Sequence, residues 1–385
     1  MIEPQSLEEL RRQMQQRMAE DRALLDDLRA EIRALNADTR RIQPRSTTAV
    51  SLVGSDGGNN KVQFDPFLVQ LVRVVDSNNH EYCLEAVTPT SDISALNDKH
   101  VDASGKGKTA LGRMMEAIGV RTLWDLSHMI PRPPDPTKPR EPISPSWVQV
   151  YREIMEWAFL LTFVRETPFG SDTVIVRDGF LRSKVFRGGN FPKIVAKLKE
   201  GVDEQFRTRR RRVLVAGVAK HSKVLQRYQL AMALEGVMRH PYPCYVQVPR
   251  EIEMKAYVWS EYARGDAEAG QGGEANKFVA GHMFFVKFGS RPHDPVWPID
   301  VFDPQVGDAG TILSYLLADA NEGFPVPFYP MCLQKAHEHA ALVDFDMVIL
   351  QDAIYSAIRD TLGEHRAVLD EFSLADEDPA ARRYQ

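Results

Sequence analysis

Residues 173–185, TVIVRDGFLRSKV, carry the reading on which the fold turns. A branched apolar run predicts a strand over 173–177, and the strand ends on Asp178-Gly179. A second copy of the idea lies at 51–60, SLVGSDGGNN, where an apolar run reaches Val53 and Asp56 then sits among Gly54, Gly57 and Gly58. Taken singly, Asp-Gly is a common turn dipeptide. Taken together, two acids that end apolar strands stand where a sheet's carboxyl edge would place them. Neighbouring strand ends can bring two such groups to one divalent cation.

Working outward from these strands, residues 5–37 predict a long exposed helix. Leu7, Leu10, Met14, Met18, Leu25, Leu28, Ile32 and Leu35 form a narrow stripe with one slip of phase after Met14. Such a stripe packs on another helix, in the same chain or in a partner. The main body starts near Thr47 with strand-like TAVSLV, FLVQLVRVV and EYCLEAV. Residues 91–146 read as irregular and close in the proline-dense PRPPDPTKPREPISP. Then come an apolar helix (147–164), the 173–177 strand, a helix (191–205), the strand VLVAGVA leading to Lys220, and a helix (222–238). MKAYVWSEYA and KFVAGHMFFVKFG predict strands on either side of a glycine-rich loop at 264–276, and WPIDVFD predicts one more. Helices at 309–319, 331–343 and 345–362 precede a polar tail, 363–385. An early meander followed by alternating helix and strand makes an α/β architecture, a mixed sheet flanked by helices, with the N-terminal helix (1–40) added to a main domain over 47–362.

Composition removes several function classes. A formal net charge of −5 argues against a protein coated in base. The three cysteines are scattered without a CxxC pair, which excludes a thiolate zinc cluster and fits a reducing compartment. The apolar run WAFLLTFV is far too short to span a membrane, so a cytoplasmic protein is expected. SGKGKT at 104–109 lacks the first glycine of a phosphate-binding loop, since position 102 is Asp, and reads as a solvated loop. DGGNNK lacks the alternating acids and closing Glu of a calcium loop.

A third carboxylate would complete an oxygen-rich site for Mg²⁺ or Mn²⁺. The helix at 147–164 offers Glu153 and Glu156, of which Glu156 has Phe159 and Leu160 as neighbours and so needs a partner, either a cation or an arginine such as Arg152. Lys220 ends a strand beside the two Asp-Gly ends, followed by His221 and Lys223, and suits a phosphate. RTRRRR at 207–212, with Arg209, Arg210 and Arg211, is a candidate phosphate contact or a solvated run. In YPMCLQKAHEHAAL, His337 lies on the face of Leu333, Ala340 and Ala341, and Tyr329 precedes Pro330.

The order of these motifs resembles the NurA nuclease family, which works with the hexameric HerA ATPase in DNA-end processing and, in some bacteria, in defence. The resemblance is strongest at IVRDGFL, VAGVAKHSK and YPMCLQKAH. It implies an RNase H-like core and a Mn²⁺- or Mg²⁺-dependent DNase that acts as a homodimer on DNA. It implies metal ligation by Asp56, Glu156 and Asp178, further active-site positions at Tyr329 and His337, and a supporting Lys220. SDGGNN departs from the family's Asp-Gly-Ser, and Glu153 competes with Glu156. Two other readings stand beside this one: an inactive DNA-clamping scaffold, and an RNase H-like phosphodiesterase acting on RNA.

Overall fold

The computed structural model describes residues 3–45, 50–64, 67–134, 137, 144–256, 278–341 and 344–363. The chain begins with α1 (Pro4–Glu20), α2 (Arg22–Arg33), α3 (Leu35–Asp38) and a short β1 (Arg40–Arg41). The meander β2 (Val50–Phe64), β3 (Phe67–Asp76) and β4 (Glu81–Val87) follows. Next are α4 (Ile93–His100), α5 (Ala110–Ile118), α6 (Leu123–Leu126), α7 (Trp147–Glu166), β5 (Asp172–Asp178), α8 (Asn190–Arg209) and β6 (Val213–Val218). The remainder is α9 (Lys223–Glu235), β7 (Cys244–Gln247), α10 (Arg250–Ala256), β8 (Gly281–Lys287), β9 (Val296–Phe302), α11 (Ala309–Asn321), α12 (Met331–Ala340) and α13 (Asp344–Leu362).

The strands form one mixed nine-stranded sheet in the order β1-β7-β8-β9-β6-β5-β2-β3-β4. β2, β5 and β6 are parallel, and every other pairing is antiparallel. The expected mixed sheet flanked by helices is therefore the observed class. The parallel centre needs crossovers, which α7 and α8 supply, and strands covered on both faces read as continuous apolar runs. Ile175, Val213 and Val215 enter a core with α5, α7 and α8. The alternate residues Val174, Val176, Leu214, Ala216 and Val218 enter a second core with α11 and α12.

Four expectations change. The single helix over 5–37 is divided at Asp21: no residue of α1 is buried, whereas α2 and α3 bury Ile32 and Leu35 against α9 and β7. Arg29 and Arg33 both pair with Glu235 at 2.7 Å, and Glu31 accepts from the Tyr228 hydroxyl at 2.6 Å. The second half of the stripe thus packs within the chain. The segment 91–146 is not irregular throughout, because it holds α4, α5 and α6, each with a side-chain N-cap at Asp92, Thr109 or Thr122. The start of MKAYVWSEYA is helical in α10, and its remainder from 257 lies outside the described residues, as do 264–276 and 364–385. β7, between prolines, was not foreseen. Among the described residues no helix is long and apolar enough to cross a membrane.

The α4–α5 segment is tied to α7 by a buried polar chain. His100 Nδ1 lies 2.7 Å from Thr109 Oγ1, its Nε2 lies 2.6 Å from the Tyr151 hydroxyl, and that hydroxyl donates to Glu85 at 2.5 Å. With Tyr151 donating onward, a neutral Nε2–H imidazole satisfies every link. Burial holds the His100 imidazole down at about 4; Glu85 pulls the other way, and Lys99 and Lys108 add to the lowering. The folded value is below the unfolded 6.5, so this contribution is complete above pH 6.5 and is lost as pH falls through 4. Urea midpoints at pH 7 and pH 4 should register a loss of about 3 kcal/mol from this group. In His100→Gln that increment of acid sensitivity should vanish; an unchanged pH dependence would contradict the neutral buried assignment.

Candidate metal centre where two parallel strands part

β2 pairs with β5 in register from Val50↔Asp172 to Ser55↔Arg177, and there the parallel pairing ends. Contrary to expectation, Asp56 does not end its strand. β2 continues to Phe64 paired only with β3, so Asp56 stands at the first position beyond the parallel sheet. Asp178 is the last residue of β5. From β2 the chain turns to β3 on one side and from β5 to β6 on the other, so the two acids flank a topological switch point, where α/β sheets leave a crevice at their carboxyl ends. Strand alternation puts both on the face packed by α11 and α12.

The third group comes from α12. A Cβ on Gly54 would stand 2.4 Å from the Cys332 carbonyl oxygen, so only glycine lets this helix lie against the strand. Asp319 caps the helix by accepting from the Cys332 amide at 3.0 Å. From that contact the five helical residues to His337 advance about 7.5 Å. The two strand residues from Gly54 to Asp56 advance about 6.6 Å. The near-match brings His337 over Asp56, and its Nδ1–H donates to Asp56 Oδ2 at 2.7 Å. Ligand atoms of Asp56, Asp178 and His337 lie within 4.8 Å of one another.

The surrounding groups balance the charge. Lys220 Nζ donates to Asp178 Oδ2 at 2.7 Å and sits 5.8 Å above the Tyr329 ring. The buried Tyr329 donates its hydroxyl to Asp178 Oδ1 at 3.3 Å and packs edge-on against Trp297. Burial, reinforced by Asp178, pushes that hydroxyl far up, so it stays a donor. Burial also pushes the Asp56 carboxyl up, but the bond and charge of His337, with Lys220 and the Gly57 amide, outweigh it and hold the group below its ordinary value. The same bond to Asp56 raises His337.

Glu156 lies on the other side of the sheet. Its carboxylate meets Arg177 Nη2 at 2.7 Å and Arg152 Nε at 3.3 Å, and a Cβ on Gly57 would stand 2.2 Å from its Oε1. Burial pushes its carboxyl up to about 7 against the pull of both arginines, with Asp56 among the charges that oppose its ionisation. Between the two candidate glutamates, Glu156 faces β2, while Glu153 accepts from Ser183 Oγ at 2.5 Å. The structure therefore gathers Asp56, Asp178, His337, Lys220 and Tyr329, and sets Glu156 next to them behind two arginines.

It does not bring in the arginine run. Arg209, Arg210 and Arg211 precede β6, and Lys220 follows it, so about 20 Å of strand separates them. Arg209 donates to the Thr167 carbonyl at 2.8 Å, and Arg210 lies over Phe206. Lys223 is nearer, as the first residue of α9. The Glu156–Arg152 pair is the one the helix spacing offers; sequence reasoning missed Arg177, for which the signal available was alternation, which turns it to the face opposite Asp178. Gly54 and Gly57 make room for Cys332 and Glu156.

No family model matches this sequence, and no curated protein does. Among solved structures, the NurA nuclease from Sulfolobus solfataricus is similar over 91% of this chain and 98% of its own, at 12% identity and a TM-score of 0.45. A structure of NurA with manganese is similar over 90% and 98%, at 10% identity and 0.39. One of NurA bound to dAMP and manganese covers 89% and 94%, at 8% identity and 0.39. These belong to the family that the order of motifs resembles.

Gly54→Ala should destabilise the protein by about 1–3 kcal/mol, because the obstructing atom is backbone that cannot swing aside. Gly170→Ala, where an added Cβ meets nothing within 4 Å, should stay within about 0.5 kcal/mol of the parent. Equal urea midpoints for the two variants would remove the close helix–strand contact from the account.

Proposed function

We propose that this chain is a divalent-metal-dependent nuclease that hydrolyses phosphodiester bonds of DNA. The observation that carries the reading is the convergence of two carboxylates and an imidazole within 4.8 Å at the end of the parallel sheet. This O/O/N donor set suits Mn²⁺ and is compatible with Mg²⁺. A divalent cation held by Asp56, Asp178 and His337 would supply the charge that activates water and offsets the phosphoryl oxygens. The family resemblance also names Glu156 as a metal ligand; here its carboxylate is paired with Arg177 and Arg152. Lys220 neutralises Asp178, Tyr329 fixes the orientation of Asp178 through its hydroxyl, and Lys223 offers a further phosphate contact. The meander β4-β3-β2 continued by parallel β5 and β6 supports an RNase H-like core.

The substrate and the partners rest on the motif resemblance: DNA, a HerA-type hexameric ATPase, and a second copy of the chain. Leu10, Met14 and Met18, exposed along α1, favour that helix as the contact. Because α2 and α3 belong to the core, a truncation that tests this should remove only residues 1–20. Native mass and co-elution with the ATPase should then show loss of dimer, of docking, or of both; retention of both would leave α1 without either role.

Cleavage of single- and double-stranded DNA should require Mn²⁺ or Mg²⁺ and stop in EDTA. Asp56→Ala and Asp178→Ala should abolish it while preserving the thermal transition. Tyr329→Phe, which removes a partner of a ligand, should lower activity by about 10- to 100-fold. Metal-dependent cleavage of RNA alone would transfer the reading to the ribonuclease alternative. Metal binding without cleavage of either polymer would favour the scaffold.

A further inference from the structure

Arg177 precedes Asp178 in β5 and turns to the opposite face of the sheet, where it is buried. Both ends of its guanidinium are committed. Nη2 donates to Glu156 Oε2 at 2.7 Å, Nη1 donates to the Phe180 carbonyl at 2.7 Å, and the guanidinium carbon lies 5.1 Å from the centre of the Trp157 ring. Glycine makes the second bond possible: Gly179 adopts a φ of +105°, and a Cβ there would stand 2.9 Å from Nη1. Arg177 therefore ties α7 to the turn that Asp178 opens. Glu156 is held from two sides, since Arg152 Nε lies 3.3 Å from its Oε1. That oxygen fills the space a Cβ on Gly57, the neighbour of Asp56, would need.

A centre that works with two cations needs a further carboxylate to hold the second ion. Glu156 is the group that the motif order assigns to this task, yet its Oε2 already carries a fixed positive charge at hydrogen-bond distance. The two cations next to the centre differ in how readily they can leave. The Lys220 side chain is 40% exposed on a flexible stem and can swing away when Asp178 takes a metal. The Arg177 side chain is 9% exposed, bonded at both ends and unable to lose its proton. Transfer of Glu156 to a metal would leave that guanidinium charged, buried and without its carboxylate, which is strongly disfavoured.

We propose that Arg177 stands in place of a second metal ion: the centre holds one divalent cation at Asp56, Asp178 and His337, and Glu156 is the counter-ion of Arg177, not a metal ligand. Arg177 is then a positioning residue, which fixes the turn after Asp178 and keeps a permanent positive charge behind the two acids. In this the chain departs from the ligand set that the motif resemblance implies. The inference rests on the nuclease reading for the identity of the centre, so its test counts metal ions and needs no substrate.

Mn²⁺ is titrated into the full chain, and the free ion is counted by its electron paramagnetic resonance signal. The wild type should take up one Mn²⁺ per chain, and Asp56→Asn should take up none over the same range. Arg177→Met strips Glu156 of its fixed partner and should raise the count to two. Arg177→Lys, which restores the charge, should return it to one. An arginine with only a structural role would lower the thermal transition on replacement without adding an ion. Glu156→Gln combined with Arg177→Met exchanges the buried pair for neutral groups of similar volume, a change that folds tolerate. This double variant should keep one ion with a Kd within about threefold of the wild type, well short of the roughly 10- to 100-fold loss that follows removal of a group supporting a metal.

Two ions in the wild type, one ion in Arg177→Met, or a loss of affinity beyond about 10-fold in the double variant would each overturn the proposal and leave the nuclease reading standing. Should Arg177→Met fail to fold, the wild-type count and the double variant still decide. Undiminished uptake by Asp56→Asn, or no uptake by the wild type, would instead remove the centre itself, and the nuclease reading with it.

Discussion

Two carboxylates placed where the parallel pairing of β2 and β5 ends repel each other, and the architecture around them answers that repulsion. Asp56 and Asp178 bring oxygens within 4.8 Å, where two unit charges at an effective dielectric near 20 oppose each other by roughly 3.5 kcal/mol. Each acid accordingly has its own donor, Lys220 for Asp178 and His337 for Asp56. The two donors come from different elements, one following β6 and one in α12. Pairing of this sort stabilises the arrangement, and it also tunes it. Because imidazole binds a metal only when neutral, occupation would exchange the His337 proton for a cation at the same acid.

Strand alternation divides the neighbourhood into two compartments. Asp56, Asp178 and Gly54 face α12, while Ser55, Arg177 and Gly57 face α7. The sheet is one backbone thick, so Glu156 feels the Asp56 charge even though its carboxylate is bonded to arginines on the far side. A buried glutamate between two arginines is costly to break and contributes little when whole.

The parts of this arrangement that were legible in the sequence are those carried by local pattern. The branched run before Asp178, the apolar helix at 147–164 and the alternating elements after it gave the sheet and its covering helices. Asp56, Asp178, Lys220, Tyr329 and His337 were named from strand ends and motif order, and the fold collects all five. What stayed hidden depends on distances between segments remote in sequence. Nothing local says that Gly54 touches Cys332, 278 residues later, or that Arg177 takes the charge of Glu156. The arginine run misled because composition marks charge without marking which end of a strand it occupies. The helices between 91 and 126 were readable in principle: Asp92, Thr109 and Thr122 are N-cap residues and Gly119 adopts the left-handed C-terminal conformation. The proline-dense stretch that follows them drew the whole segment into one irregular reading.

The non-strand half of the centre behaves as one module. Asp319 fixes the start of α12, Gln334 within that helix fixes the loop behind it, and the loop fixes Tyr329 over Asp178. Gly54 then sets how closely the helix lies on β2, and the helical rise delivers His337 to Asp56. Displacing α12 at any of these points moves the imidazole and the phenol together, while the two carboxylates stay with the sheet. The acids are thus anchored in the sheet, and their polar partners His337 and Tyr329 ride on a single helix and the loop before it.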